Sequence, residues 1–94
     1  MAQARVHLVI RGRVQGVFFR YETQTVARQL GLFGWVKNLY DGSVETIAEG
    51  PKEKLEKFIQ WCHKGPARAK VESVEIKWEN PTGEFKSFTI EYGY

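Results

Sequence analysis

Residues 12–20 read Gly-Arg-Val-Gln-Gly-Val-Phe-Phe-Arg, and the switch of hydrophobic period across this stretch constrains the fold more than any other part of the chain. Upstream, Val6, Leu8 and Ile10 alternate with Arg5, His7, Val9 and Arg11, the period-two signature of a strand with one better-buried face. Downstream, Phe19, Thr23, Val26, Ala27 and Leu30 recur at helical spacing, and Gly31 supplies a left-handed stop. The pattern predicts a strand over 5–13 and a helix over about 20–30, joined by a glycine-bearing turn. A turn in that position lines up unpaired backbone N–H groups at a helix start, which is an anion site before any side chain is counted. Arg20 follows at once, with a permanent charge and a planar fork of donors that matches phosphate or carboxylate geometry.

The rest of the chain supplies the cover. Phe33-Gly34-Trp35-Val36-Lys37-Asn38-Leu39 is rich in strand formers, Gly42 to Glu49 alternates again, and Tyr40-Asp41-Gly42 between them is a hairpin signal. Gly50 and Pro51 introduce a second helix, with Pro51 expected at its first position and Leu55, Phe58, Ile59 and Cys62 forming one apolar stripe. Lys64-Gly65-Pro66 ends it. Two last strands run through Val71, Val74, Ile76 and Trp78, and through Phe85, Phe88, Ile90 and Tyr92, joined by the turn residues Asn80-Pro81-Thr82-Gly83. The order strand, helix, strand, strand, helix, strand, strand implies an α+β fold. It is a ferredoxin-like split β-α-β sandwich, with two helices on one face of a mostly antiparallel four- to five-stranded sheet.

A length of 94 residues suits one domain spanning 1–94, burying roughly 60–65% of its unfolded surface. Cys62 is the only cysteine, which excludes an intramolecular disulfide framework and suits a reducing compartment. Met1 to Arg5 carries no signal-peptide apolar region, and no run approaches the roughly 20 apolar residues of a membrane span. A cytoplasmic monomer without membrane contact is expected. The net charge of +3, from 14 basic and 11 acidic residues spread along the chain, slightly favours small anions and is weak support for nucleic acid.

Function must come from the site, because this fold hosts many activities. No phosphate loop ending in Gly-Lys-Ser/Thr, no His-Glu-x-x-His and no Gly-x-Ser-x-Gly is present. His7 in the first strand and His63 near the end of the second helix read as surface or structural residues, since neither belongs to the turn at 12–20. Cys62 and Phe19 read as core. Gly16 reads as the point where backbone approaches the anion, while Val17 and Phe18 offer packing or entrance side chains. Arg11 and Arg13 read as solvated strand charges. Asn38 shares a face with Val36 and Gly34, the core side, where a bare amide needs partners. From the residues alone two roles stand side by side: its amide lies beside the anion held by Arg20, or it caps the Tyr40-Asp41-Gly42 turn.

Gly12-x-Val14-Gln15-Gly16-Val17-x-Phe19-Arg20, together with Gly34-Trp35-Val36-Lys37-Asn38-x-x-x-Gly42-x-Val44-x-x-x-x-x-Gly50, resembles the two signature motifs of the acylphosphatase family. The resemblance covers essentially the whole chain and departs at no motif position. It implies that Arg20 binds phosphoryl oxygens, that the backbone N–H groups of Gln15, Gly16, Val17, Phe18 and Phe19 complete a cradle, and that Asn38 holds an attacking water. The implied reaction cleaves an acyl phosphate to a carboxylate and inorganic phosphate, with no metal, no cofactor and no phosphoenzyme. The competing reading is a ferredoxin-like RNA-binding module that stacks bases on sheet aromatics such as Trp35 and Trp78, against which stands the absence of the Lys/Arg-Gly-Phe/Tyr-Gly/Ala-Phe-Val-x-Phe/Tyr run. A domain acting on carbamoyl phosphate within a larger maturation enzyme is a third, set aside because the chain reads as complete with one domain.

Overall fold

A computed structural model describes residues 3–92. The elements are β1 (Gln3–Arg13), α1 (Phe19–Gln29), β2 (Phe33–Asn38), β3 (Val44–Pro51), α2 (Lys52–Lys64), β4 (Lys70–Glu79) and β5 (Phe88–Glu91). One five-stranded sheet has the order β4-β1-β3-β2-β5, antiparallel throughout except for the parallel β2–β5 pair. The first strand of the chain is thus interior to the sheet, paired with β3 on one side and β4 on the other. Both helices cover one face, as the order of elements predicts. No described helix is long and apolar enough to cross a membrane.

Alternation decides which side chains meet the helices. Val6, Leu8 and Ile10 of β1, Val36 of β2 and Val44, Thr46 and Ala48 of β3 are fully buried, while Arg5, His7 and Val9 turn to the open face. Phe19 and Ala27 from α1, and Leu55, Phe58 and Cys62 from α2, close the core from above. Cys62 is completely enclosed, and burial pushes its thiol far above the ordinary range, so it packs as a small apolar group. The α1 stop is the one expected: Gly31 has φ 72, its N–H donates to Arg28 O and Leu32 N–H donates to Ala27 O, the paired bonds of a Schellman cap.

Two expectations need correction. Pro51 is not the first residue of α2; it pairs with Gln3 as the last residue of β3 and precedes Lys52 as the N-cap, with ψ 135. The proline ring fixes φ alone, so pairing with β1 keeps ψ extended and delays the helix by one residue. Nor do β4 and β5 form a hairpin through 80–83. They occupy opposite edges of the sheet, and the segment between them passes the far end of β1, β3 and β2. The Glu49 carboxylate accepts from Thr82 N–H (2.9 Å), Thr82 Oγ1 (3.0 Å), Gly83 N–H (3.0 Å) and Arg5 Nη1 (2.9 Å), so the would-be turn is spent on β3. Arg5 also reaches Glu79 at 2.9 Å and lies over the Phe85 ring, which takes Phe85 out of the strand. Burial raises the Glu49 pKa, but the hydrogen bonds from Arg5, Thr82 and Gly83 outweigh it and hold the carboxyl below its usual range.

Candidate functional site

The site lies at the end of the sheet opposite Glu49. β1 reaches it through a bulge between Arg11 and Gly12, where φ is 129 and an added Cβ would stand 2.1 Å from Lys70 O, so no other residue fits. Beyond the bulge Val14 is buried, and the chain loops through Gln15, Gly16, Val17 and Phe18 into α1. Gly16 has φ 73 and open space where a side chain would be, leaving the loop backbone accessible from the pocket side. Phe18 is the one non-glycine with positive φ among the described residues, at φ 64 and ψ 22, and it is the N-cap of α1 with no side-chain cap bond. A phenylalanine held there costs about 1–3 kcal/mol of strain, the kind of distortion that concentrates at functional sites.

Within the described residues the backbone N–H groups of Gly16, Val17 and Phe18 donate to no partner. They lie in the segment that leads into the N-terminal, positive end of α1, and Arg20 stands one residue into the helix. The first such pairing for Phe18 is through its carbonyl, which accepts from Glu22 N–H at 3.0 Å and leaves the N–H side of the loop unspent. Arg20 has no carboxylate partner among the described residues. Its guanidinium instead lies over the Tyr92 ring at 5.2 Å, an arrangement that leaves its in-plane donors available. The neighbouring Tyr21 side chain holds the Tyr92 hydroxyl above its ordinary range, with the nearby Arg20 charge acting the other way. Phe18, Tyr21 and Tyr92, all well exposed, form an aromatic rim around the mouth.

Asn38 ends β2 opposite Val44, the residue that also faces Ile10 of β1, so a single strand separates it from the loop. Val14, Gly16, Phe18, Phe19, Arg20, Tyr21 and Asn38 line one open pocket of about 190 Å³. Five of the expected site residues are therefore accounted for around the pocket: Arg20, Asn38, Gly16, Phe18 and Phe19. Val17 lies in the same loop with its side chain buried. Asn38 does not cap the β2–β3 turn. That task falls to Asp41, whose carboxylate accepts from the Ser43 hydroxyl and from Ser43 N–H, and these bonds hold the Asp41 pKa below its usual range. Asn38 Oδ1 is buried with no partner among the described residues.

Gln15 carries more than a backbone N–H. Its Nε2 donates to Leu39 O at 2.8 Å and to Ser43 O at 2.9 Å, tying the loop to the turn that follows Asn38. Sequence reasoning missed this strut, as it missed Tyr92 behind Arg20. A polar amide between Val14 and Gly16 in a tight turn was the available signal for the first. For the second there was none, because the position of β5 has no local signature.

The acylphosphatase family model matches residues 6–90. An acylphosphatase from Roseiflexus sp. (strain RS-1) is 49% identical over 90 residues, covering 96% of this chain and 97% of its own. One from Pelotomaculum thermopropionicum is 47% identical over 92 residues, covering 98% and 100%. The crystal structure of acylphosphatase from Bacillus subtilis superposes with a TM-score of 0.91 at 37% identity, over 95% of this chain and 99% of that one.

Proposed function

Because this chain belongs to the acylphosphatase family, we propose that it hydrolyses acyl phosphates by direct attack of water on a phosphoryl group held in the pocket. One observation supports the reading: Gly16 and Phe18, whose backbone N–H groups are unspent among the described residues, line a single pocket with Asn38 and with Arg20, which has no carboxylate partner among those residues. The N–H groups of Gln15 through Phe19 and the guanidinium bind the equatorial oxygens, where charge is spread in the transition state. With Oδ1 turned inward, Asn38 offers its Nδ2–H to the water and leaves a lone pair on that water aimed at phosphorus. The water oxygen bonds to phosphorus as the bridging P–O bond breaks. The electron pair leaves with the carboxylate, and a water proton ends on the phosphate product.

The cradle explains the restriction to anhydrides. A carboxylate leaves unprotonated because its conjugate acid has a pKa of about 4, whereas an alkoxide leaving from an ordinary ester needs a general acid. Positive charge and alignment are what this pocket offers, and they suffice for a group that departs unaided. No metal takes part in this scheme.

The test is turnover of benzoyl phosphate or acetyl phosphate in the presence of a chelator. Release of phosphate well above background is expected, and Arg20→Gln and Asn38→Ala are each expected to abolish it with the fold retained. Phosphate should protect the native protein against thermal unfolding and leave Arg20→Gln unprotected. A folded native protein that does not hydrolyse either substrate would sink the activity. Near-native rates in either variant would show that the residue roles are wrong.

A further inference from the structure

Two buried side-chain oxygens among the described residues have no hydrogen-bond partner, Asn38 Oδ1 and Thr23 Oγ1. Buried polar atoms are rarely left so, and these two are chemically complementary: an amide oxygen only accepts, and a hydroxyl can donate. They also share an interface. Thr23 is fully buried one turn beyond Phe19 on the inner stripe Phe19, Thr23, Ala27 of α1. That helix packs on β2, whose helix-facing row runs Gly34, Val36, Asn38, and Phe19 and Asn38 line the same pocket.

The neighbouring threonine sharpens the case. Thr25 donates its hydroxyl to Tyr21 O at 3.1 Å, the ordinary bond of a helical threonine to the carbonyl four residues back. Thr23, in the same helix and fully enclosed, does not do this, so its hydroxyl is left for something outside its own helix.

We propose that Thr23 is a positioning residue for the hydrolysis, its hydroxyl donating to Asn38 Oδ1 either directly, after a small rotation of one side chain, or through one shared water. The inference rests on the reading that Asn38 holds the attacking water. An asparagine amide has two orientations of nearly equal shape that exchange oxygen for nitrogen. With a donor behind it, the oxygen stays inward and Nδ2–H faces the pocket. Without one, the amide turns over and presents an electron-rich oxygen to the phosphoryl oxygens, and the water is no longer aligned.

The experiment compares Thr23→Val, which keeps the shape and removes the hydroxyl, with Thr23→Ser and Asn38→Ala. The measured quantities are kcat and KM for benzoyl phosphate in chelator and the affinity for inorganic phosphate. Thr23→Val should lower kcat about tenfold, the scale of a misaligned reacting group, with KM and phosphate affinity within about twofold of native. Thr23→Ser should restore at least about half of native kcat, which a role in packing alone would not predict, since serine lacks the methyl group. Native kcat in Thr23→Val while Asn38→Ala is inactive overturns the proposal and leaves the role of Asn38 standing. An active Asn38→Ala overturns both. If Thr23→Val does not fold, Thr23→Ser against Thr23→Ala carries the same comparison, and equal kcat values in those two refute the role of the hydroxyl.

Discussion

Replacing Gln15 by leucine removes two donors while nearly preserving volume, and it tests whether the two halves of the site are mechanically joined. The Gln15 amide bonds Leu39 O at 2.8 Å and Ser43 O at 2.9 Å, and so ties the loop that precedes Arg20 to the turn that follows Asn38. Two neutral hydrogen bonds are worth about 1 kcal/mol each, and carbonyls that stay shielded without a donor add to the loss, giving about 2–4 kcal/mol in all. Half of the lower figure expressed in the transition state is already about fivefold in rate, and the full lower figure about thirtyfold. Gln15→Leu should therefore lower kcat for benzoyl phosphate by roughly 5- to 30-fold and reduce the urea midpoint. Gln15→Glu should be worse, because its carboxylate faces two carbonyl oxygens. The backbone N–H of residue 15 survives in both variants, so phosphate binding should change less than kcat. A Gln15→Leu enzyme with kcat within twofold of native and an unchanged urea midpoint would refute the strut.

Glu49→Gln, at the other end of the sheet, should cost about 2–3 kcal/mol at neutral pH, since the amide keeps one acceptor and sets a donor against another donor. Its pH dependence has a definite sign. The folded pKa of Glu49 is depressed, so the charged form contributes stability that is present above the ordinary carboxylate pKa and is lost as pH falls through the depressed folded value. The stability gap between native protein and Glu49→Gln, read from urea unfolding between about pH 7 and about pH 3, should shrink on the acid side; a constant gap would show that another group is responsible. Tyr92→Leu removes the ring under the Arg20 guanidinium and should raise KM about two- to fivefold, whereas Tyr92→Phe keeps the ring and should change KM little. Equal KM values in the two Tyr92 variants would dismiss the stacking.

Local chemistry was legible in the sequence wherever one segment decides its own structure. The change from alternation before Gly12 to helical spacing after Phe19 located β1, the loop and α1, and Gly31 marked the helix stop. The apolar stripe of α2 is buried as expected. What the sequence hid depends on partners far along the chain. β5 pairs in parallel with β2, and a parallel pair leaves no turn between its strands to read, so the turn-forming residues 80–83 suggested a hairpin that the Glu49 carboxylate prevents. Glu49 itself looks like the outward member of an alternating strand, yet it is only 6% exposed because the 80–87 segment passes over it. Thr23 fits the helical stripe as readily as valine would, and only its enclosure without a partner separates a hydroxyl in use from a filler.

The central position of β1 sets a timetable for biosynthesis. Arg5 is paired with both Glu49 and Glu79, so the strand made first needs one neighbour from mid-chain and another from near the end. A polypeptide emerging from the ribosome carries Gly12 to Arg20 early, but the bulge that turns β1 into the loop is pinned by Lys70 on β4, which emerges much later. The 14–18 loop should therefore be the earliest part of the candidate site to be synthesised and among the last to take shape. Closing contacts of such long sequence separation also makes for slow folding. Nascent chains halted before residue 70 are expected to show no protection of the 14–18 loop by phosphate, and chains released past residue 92 to show it in full.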